Sequence, residues 1–441
     1  MSESKRKFEL DFLRRGSLMA LGSALGSIRG LITLVALSGL GPTTVSMYGI
    51  ALSIYGIAVV LCAGHSVAVI SRLSRYPLGG EPNGECRTHF TEIVATAWAS
   101  TIALVTLTIG FGAISAILLP VDSGQFAVAY AAATVGAFLL PLGQCLVGRQ
   151  QVLGLERRST RHSLETFAIG TGLALLGIGL APNAETALLA IGLSGLGAEI
   201  WGFVRRRNSL GPGDRGIIRA GWVMFASRPL RTFRGVPHTA AGGYDGIVLL
   251  STFTLVSQLA FHVSPLTGAV TVTAIAFVRS IVIPLKSVGL VGGRLVVQGS
   301  AGGAIDASLI RRAIGTVACF LVPVGAVIAL APWPLQQLLG LPPGPDVELV
   351  IRLVGVQLIL EPIAGVGSAM LKIIVKPTTV LLPLVLCMWG FVLPVIAIGT
   401  AMHTSSLLSI WTILLTARIA FCVCVLFGLL STSPPRAAGI A

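Results

Sequence analysis

The chain has 441 residues, of which 54% are hydrophobic and only 11% charged, with a mean hydropathy of +0.89. A soluble domain carries about 25% charged residues to face water, and a single core stops growing near 250–300 residues, so a soluble globular protein is excluded. The formal charge of +14 does not by itself point to nucleic acid, because the placement of the basic residues accounts for it.

Twelve apolar runs reach the length of about 20 residues that a transmembrane helix needs. They are predicted near 17–40, 44–71, 91–119, 126–148, 163–181 and 186–204, then near 237–261, 267–291, 313–331, 347–371, 378–400 and 405–430. Lys5, Arg6, Lys7, Arg14 and Arg15 precede the first run, which is a full span with no small-residue cleavage site and so no signal peptide. The second gap holds Arg72, Arg75 and Arg87; the fourth holds Arg149, Arg157, Arg158 and Arg161; the sixth holds eight arginines from Arg205 to Arg234. Later even gaps hold Arg294, Arg311 and Arg312, then Lys372 and Lys376, and Arg436 follows the last run. The odd gaps hold no Lys or Arg, only residues such as Asp122 and Glu185. All but five of the 31 basic residues therefore fall on one side. That is the positive-inside pattern of a multi-pass cell-membrane protein with both termini cytoplasmic. The excess charge is topological, and no nucleic-acid partner is expected.

A shift of about 220 residues superposes the two halves. Gly41-Pro42 closes the first hairpin and Ser264-Pro265 the seventh-to-eighth, while Phe138-Leu-Leu-Pro141 matches Ile359-Leu-Glu-Pro362. Six spans per repeat is an even number, so the repeat is parallel, about an axis normal to the membrane. The expected organisation is a cytoplasmic segment 1–16, a six-helix bundle 17–204, a basic linker 205–235, a second bundle 236–430 and a cytoplasmic tail 431–441. In the linker, Ile217, Ile218, Trp222, Val223 and Phe225 interleave with arginines. It is either an interfacial helix on anionic lipid or an ordinary charged connection. Gly22, Gly26 and Gly30 recur every four residues in the first span, a spacing that lets a neighbouring backbone approach closely. Pro141, Pro284, Pro323, Pro362, Pro383 and Pro394 interrupt spans and can bend them. The glycine-rich stretches 289–293 and 299–303 read as loops, and the seven cysteines as small apolar residues without metal-ligand spacing. No phosphate-binding loop, ATPase motif, nucleophile elbow or metal cluster is present in the sequence. The expectation is a transporter rather than an enzyme, with no cofactor. Its driving force would be an ion gradient, the membrane potential or consumption of the product.

Twelve spans in two halves, proline-centred fourth and tenth spans, and Ile281-Val-Ile-Pro-Leu-Lys-Ser-Val-Gly289 ending the eighth span resemble the MATE-like flippase superfamily. That superfamily comprises multidrug and toxic-compound exporters, polysaccharide flippases, lipid II flippases and pyrophosphate-exporting ankylosis-type proteins. The opening Phe12-Leu-Arg-Arg-Gly-Ser-Leu18 is most similar to the polysaccharide flippase branch. The resemblance implies an all-α membrane fold that works by alternating access. It also implies that the first, second, seventh and eighth spans line a central cleft.

Five basic residues lie inside spans. Arg29, Arg279 and Arg418 are central in the first, eighth and twelfth; Lys286 and Arg352 are nearer span ends and can snorkel. A central Arg costs roughly 2.5–3.5 kcal/mol even on the lenient insertion scale, so an aqueous cavity or a counter-ion is required. Candidate partners are Asp245, Glu361 and Glu199, and Arg418 with Glu361 would make a plain structural pair. The repeat partners of Arg29 and Arg279 lie near Ser251 and Ile57 and are uncharged. A packing device would be expected in both halves, whereas a substrate contact need not be. Guanidinium groups bind phosphate through paired hydrogen bonds. Arg29 and Arg279, with Gln258 as a further hydrogen-bonding group, are the candidate substrate-binding residues; Asp245, Glu361 and Arg418 are candidates for charge balance or for H+ or Na+ coupling. The expected substrate is a polyprenyl-pyrophosphate-linked saccharide, with a drug or soluble organic anion as the alternative. Drug exporters of the resembled superfamily place a carboxylate in the cleft, and lipid II flippases keep arginines in the first and eighth spans but have fourteen spans. His65 and His262 are read as structural.

Overall fold

The computed structural model describes residues 3–73, 84–119, 123–153, 155–211, 214, 216–240, 244–299, 306–375 and 377–431. Arg75, Asp122, Arg215, Lys376, Arg436 and the glycine stretch 300–303 lie outside the described residues. Among the described residues all regular structure is helical, and twelve helices or helix pairs are long and apolar enough to cross a bilayer. Closed helical hydrogen bonding is what hydrocarbon demands, because an unsatisfied backbone group has no water to bind there.

In chain order the helices are α1 (Glu3–Leu37), α2 (Pro42–Leu73), α3 (Gly84–Leu118), α4 (Ser123–Thr134), α5 (Leu140–Val152), α6 (Glu156–Leu180) and α7 (Ala184–Asn208). Two shorter helices follow, α8 (Ile217–Ser227) and α9 (Pro229–Ala240). Then come α10 (Tyr244–Val263), α11 (Pro265–Gly299), α12 (Ala307–Leu330), the short α13 (Trp333–Leu338) and α14 (Pro345–Glu361). The last are α15 (Ser368–Ile374), α16 (Pro377–Val385), α17 (Leu393–Ala401) and α18 (Leu407–Ser431). The segment 1–16, from Glu3 onward, is thus already part of the first helix.

Punctuation is local. Gly41 turns the first hairpin at φ 98°, a conformation that glycine enters without steric cost, and Pro42 opens α2. Asn183 caps α7 by accepting from Thr186 N at 2.9 Å, while the Thr186 hydroxyl faces Asn183 N at 3.4 Å. The repeat-related prolines interrupt their spans differently. Pro141 follows a 3₁₀ turn (Ala137–Leu139) between α4 and α5, whereas Pro362 opens a π-helical turn (Pro362–Gly367) between α14 and α15. Proline removes an N–H and crowds the preceding turn, so a neighbouring carbonyl must find another donor. Beside the fourth span's break, Thr101 Oγ1 of α3, which donates to Ala97 O at 3.0 Å, lies 3.4 Å from Phe138 O. A second π turn (Leu386–Val392) follows Pro383.

The chain forms two compact units, one of Ile32–Thr254 and one of Met1–Leu31 with Leu255–Ala441. In the first unit, α2 packs on α3, α4 and α5, α7 on α4 and α6, and α8 and α9 on α3. Its core at the arginine-rich end joins Val69, Phe90, Val94, Leu142, Cys145 and Ile217. In the second unit, α11 packs on α15, and α14 on α12 and α18. Phe12 is 2% exposed, and the start of α1 is tied to this unit by Glu9–Arg312 at 2.7 Å.

Three expectations are corrected here. Residues 289–293 are not a loop but part of α11. A Cβ on Gly289 would sit 2.6 Å from Val366 O and from Ala369 Cβ, and one on Gly293 2.9 Å from Ile373 Cβ. These glycines serve helix–helix approach rather than a turn. Of the stripe Gly22, Gly26 and Gly30, the first two show the reverse, since no described atom lies within 4 Å of where either side chain would begin, while Gly30 is buried. Gly26 faces outward, and α1 packs through Phe12 and Gly16 near its start and Leu34 and Leu37 near its end. The seventh span starts at Tyr244 rather than 237, because α9 docks on α3 and does not cross.

Gly289→Ala is therefore expected to destabilise by about 1–3 kcal/mol through overpacking. Gly26→Ala should be neutral or stabilise by up to about 1 kcal/mol, the helix-propensity difference. Unfolding midpoints of the two variants in mixed detergent check this contrast.

Candidate functional site

Burial separates inner from lipid-facing spans. In α2, α10 and α11 some 67% of the most apolar window is buried, against 17–24% in the spans of α1, α3, α6, α12 and α16–α17. The inner spans are also rich in hydroxyls. Thr252, Thr254, Ser257, Thr267, Thr271 and Thr273 are all buried on α10 and α11, as are Gln258, Arg279 and Ser280. Thr252 and Thr254 bond back to Val248 O (2.8 Å) and Leu250 O (2.9 Å), the usual refuge of a helical threonine. Thr271 is fully buried, and its hydroxyl has no partner among the described residues.

Helical rise places the candidate groups by depth. At 1.5 Å per residue, Arg279 lies about 21 Å along α11 from Pro265, and Arg29 about 17 Å from the Leu40 end of its span. Both belong to the unit Met1–Leu31 with Leu255–Ala441, at middle depth. Lys286 follows Arg279 by seven residues, two turns on the same helix face, and so extends the basic stripe to about 32 Å. Thr271 lies within about 80° of that stripe at 100° per residue. Pro284 falls between the two cations and leaves the Ser280 carbonyl without its helical donor. Gln258 is only about 8 Å from the end of α10, well above Arg279 in depth. The helices therefore do not bring Gln258 to the level of the two arginines.

Glu361 and Arg418 form a closed pair. Arg418 Nε donates to Glu361 Oε1 at 2.8 Å and Nη2 to Oε2 at 2.5 Å, with side-chain exposures of 4% and 0%. The guanidinium also lies over the Phe421 ring, 5.4 Å from its centroid. Glu361 is the last residue of α14 and Pro362 opens the π turn, so the widened backbone sits directly beside the carboxylate. A Cβ on Gly365, inside that turn, would come 2.9 Å from Glu361 Oε2, which reserves this position for glycine. Arg352 takes the snorkelling role, donating to Ala329 O at 3.1 Å near the end of α12.

Asp245 belongs to the other unit. It is buried in the first turn of α10, where free N–H groups and the helix dipole favour a carboxylate. His65 is 1% exposed with both ring nitrogens occupied, Nδ1 3.3 Å from Cys62 O and Nε2 3.0 Å from Ser100 Oγ. Those partners assign the proton to Nδ1 and make Nε2 the acceptor. His262 is exposed at the end of α10. A buried ion pair joins the linker to α5. Arg149, counted in the sequence as a loop cation, is 6% exposed and donates from Nε to Asp214 Oδ2 at 2.8 Å. Asp214 is the lone acid of the basic linker, and that isolation was the available signal.

No family model matches the sequence, and no curated protein matches it. Solved structures do. An inward-facing multidrug resistance MATE family transporter of the MOP superfamily matches at 17% identity, over 92% of this chain and 94% of its own, with a TM-score of 0.70. An outward-facing multidrug resistance MATE family transporter matches at 17% identity over 98% and 96%, with a TM-score of 0.63. A MOP superfamily transporter from Pyrococcus furiosus matches at 18% identity over 98% of each chain, with a TM-score of 0.59. Its binding pocket is described as of reverse polarity, suggesting a different function. The chain therefore has the MATE fold.

Removing one partner of a buried pair strands the other charge. Arg418→Met is expected to cost about 3–5 kcal/mol, and adding Glu361→Leu to recover most of that. Detergent unfolding of the single and double variants decides it; no recovery in the double variant would assign the pair a role beyond mutual neutralisation.

Proposed function

We propose that this protein is a membrane transporter working by alternating access that flips a polyprenyl-pyrophosphate-linked saccharide out of the cytoplasmic leaflet of the cell membrane. The six-span bundles 17–204 and 236–430 are the moving parts, and both termini are cytoplasmic. One observation carries the reading: two arginines at matching middle depth, Arg29 and the buried Arg279, with Lys286 two turns further along the face that holds Arg279. Of the candidate acids, Glu361 is already bound by Arg418 through both oxygens. A stripe of this sign suits an anion, and two guanidinium groups suit the paired oxygens of a pyrophosphate. Arg29 and Arg279 hold the pyrophosphate, and Gln258, higher in the span, meets the saccharide. Asp245, which with Glu199 belongs to the other unit, is the group we assign to H+ or Na+ coupling. The Glu361–Arg418 pair keeps the inner helices neutral next to the site. The Pyrococcus furiosus transporter of reverse pocket polarity offers a precedent for this fold with a site of unlike charge.

A second reading is export of a soluble drug or organic anion. It is favoured by the likeness, over nearly the whole chain, to multidrug resistance transporters.

Depletion of the protein in its host, followed by mass spectrometry of extracted polyprenyl lipids, separates the two. The flippase reading expects a saccharide-pyrophosphate lipid to accumulate. Wild type should reverse this, whereas Arg29→Gln and Arg279→Gln, inserted at wild-type levels, should not. Unchanged lipid pools on depletion would sink it in favour of a soluble substrate, and full rescue by both variants would end the arginine argument.

A further inference from the structure

The stretch 216–240 contains four arginines and no acid. It folds into α8 and α9, which pack on the N-terminal half of α3. The contact is close. A Cβ on Gly221 would lie 3.1 Å from Ala95 N, and Trp98 Nε1 donates to Ile218 O at 3.2 Å. Trp98 and Trp222 meet edge to face at 5.0 Å. Phe225 joins Ala95 and Ala99, with Phe233 and Val236 of α9 against the same cluster. The two helices are thus an elbow held against α3, not a solvated connection.

The exposure of α3 locates that elbow in depth. From Phe90 to Thr101 the helix is largely buried, whereas Ile102, Val105, Leu107, Ile109, Phe111, Ile114 and Ile117 are exposed. Ile102–Leu118 spans about 25 Å, close to the roughly 30 Å of a bilayer's hydrocarbon. The lipid-facing stretch therefore begins near Ile102. The docking residues Val94 to Ala99 lie about 4–12 Å below it, at the level of the headgroups. On α8 the exposed residues Arg219, Trp222, Val223 and Ala226 recur at i, i+3, i+4 and i+7, one continuous face. Trp222 is 44% and Val223 59% exposed. Arg228 lies exposed at the bend, and α9 presents Leu230, at 78% exposure, beside Arg231 and Arg234.

We infer that the α8–α9 elbow is a binding surface for anionic phospholipid headgroups on the arginine-rich, cytoplasmic face. Trp222, Val223 and Leu230 enter the acyl boundary, while Arg219, Arg228, Arg231 and Arg234 engage phosphates. Charge complementarity and depth select the occupant. Arginine without acid repels a basic surface, and large apolar side chains beside it at headgroup level fit a lipid better than a free anion. Because the elbow joins the two six-span bundles, the composition of this leaflet would bear on the connection between them.

The test uses the full chain in nanodiscs with equal mole fractions of phosphatidylcholine and phosphatidylglycerol, one or the other brominated, and reads tryptophan quenching. The Trp222 contribution, taken as wild type minus Trp222→Phe, should be quenched at least fivefold more efficiently by brominated phosphatidylglycerol, about the preference one surface arginine supplies. High salt should weaken the preference. Replacing all four arginines by glutamine should abolish it, and replacing them by lysine should preserve it. Equal quenching of the Trp222 contribution by the two lipids overturns the proposal, and this contribution alone decides it if the glutamine variant fails to accumulate. Relief of the preference by 10 mM inorganic phosphate at constant ionic strength also overturns it, in favour of a free-anion site. Loss of the preference in the lysine variant overturns it in favour of a partner that needs the guanidinium fork.

Discussion

A charge in hydrocarbon must be neutralised, hydrated or moved, and this constraint organises the helices around the buried arginines. At Arg418 the answer is neutralisation. Glu361 meets it with two hydrogen bonds, and a π turn headed by Pro362 widens the backbone beside the carboxylate. At Arg352 it is relocation toward the end of α12, where a main-chain carbonyl accepts. At Arg279 burial persists at middle depth, on a helix that carries Lys286 on the same face. Arginine tolerated there sets the sign of the environment a ligand would meet, because few other terms match a desolvated charge in a low-dielectric interior.

The same constraint applies to the backbone. α11 runs unbroken for 35 residues, about 52 Å, far beyond the hydrocarbon. Its last turns pack glycine by glycine on α15 and its neighbouring π turn. Where proline breaks a span, the broken carbonyls find hydroxyls or a widened turn. The Pro362–Gly367 turn is buried within protein, whereas the Leu386–Val392 turn lies in an outward-facing span and keeps its backbone helically bonded.

Much of this was legible in the sequence, and the parts that were not share a cause. All twelve spans and their order follow from hydropathy and arginine placement, because a bilayer imposes length and polarity on each segment separately. Pro141 and Pro362 were legible as interruptions, though not that one yields a 3₁₀ and the other a π turn. Misreadings arose where the partner decides. Gly289 and Gly293 look like a loop until α15 is set against them, and Gly22 and Gly26 look like a contact although nothing described approaches them. Arg149 looks like one more loop cation until Asp214 folds back onto it. The candidate site shows the same division. Its charged members are conspicuous in an apolar sequence, whereas Thr271 is one threonine among many and stands out only by being fully buried with a hydroxyl that has no partner among the described residues.

The central claim is that a basic stripe in this fold receives an anion, and ligand-linked stability tests it most directly. The purified chain would be unfolded thermally in the presence of a polyprenyl pyrophosphate or of a lipophilic cation such as tetraphenylphosphonium. At a hundredfold excess over its dissociation constant a ligand stabilises by about 2.7 kcal/mol, enough to raise the midpoint measurably. The account predicts that the pyrophosphate lipid raises it in wild type, that Arg279→Gln loses the rise, and that the cation has no effect. Stabilisation by the cation, with none from the pyrophosphate lipid, would contradict it.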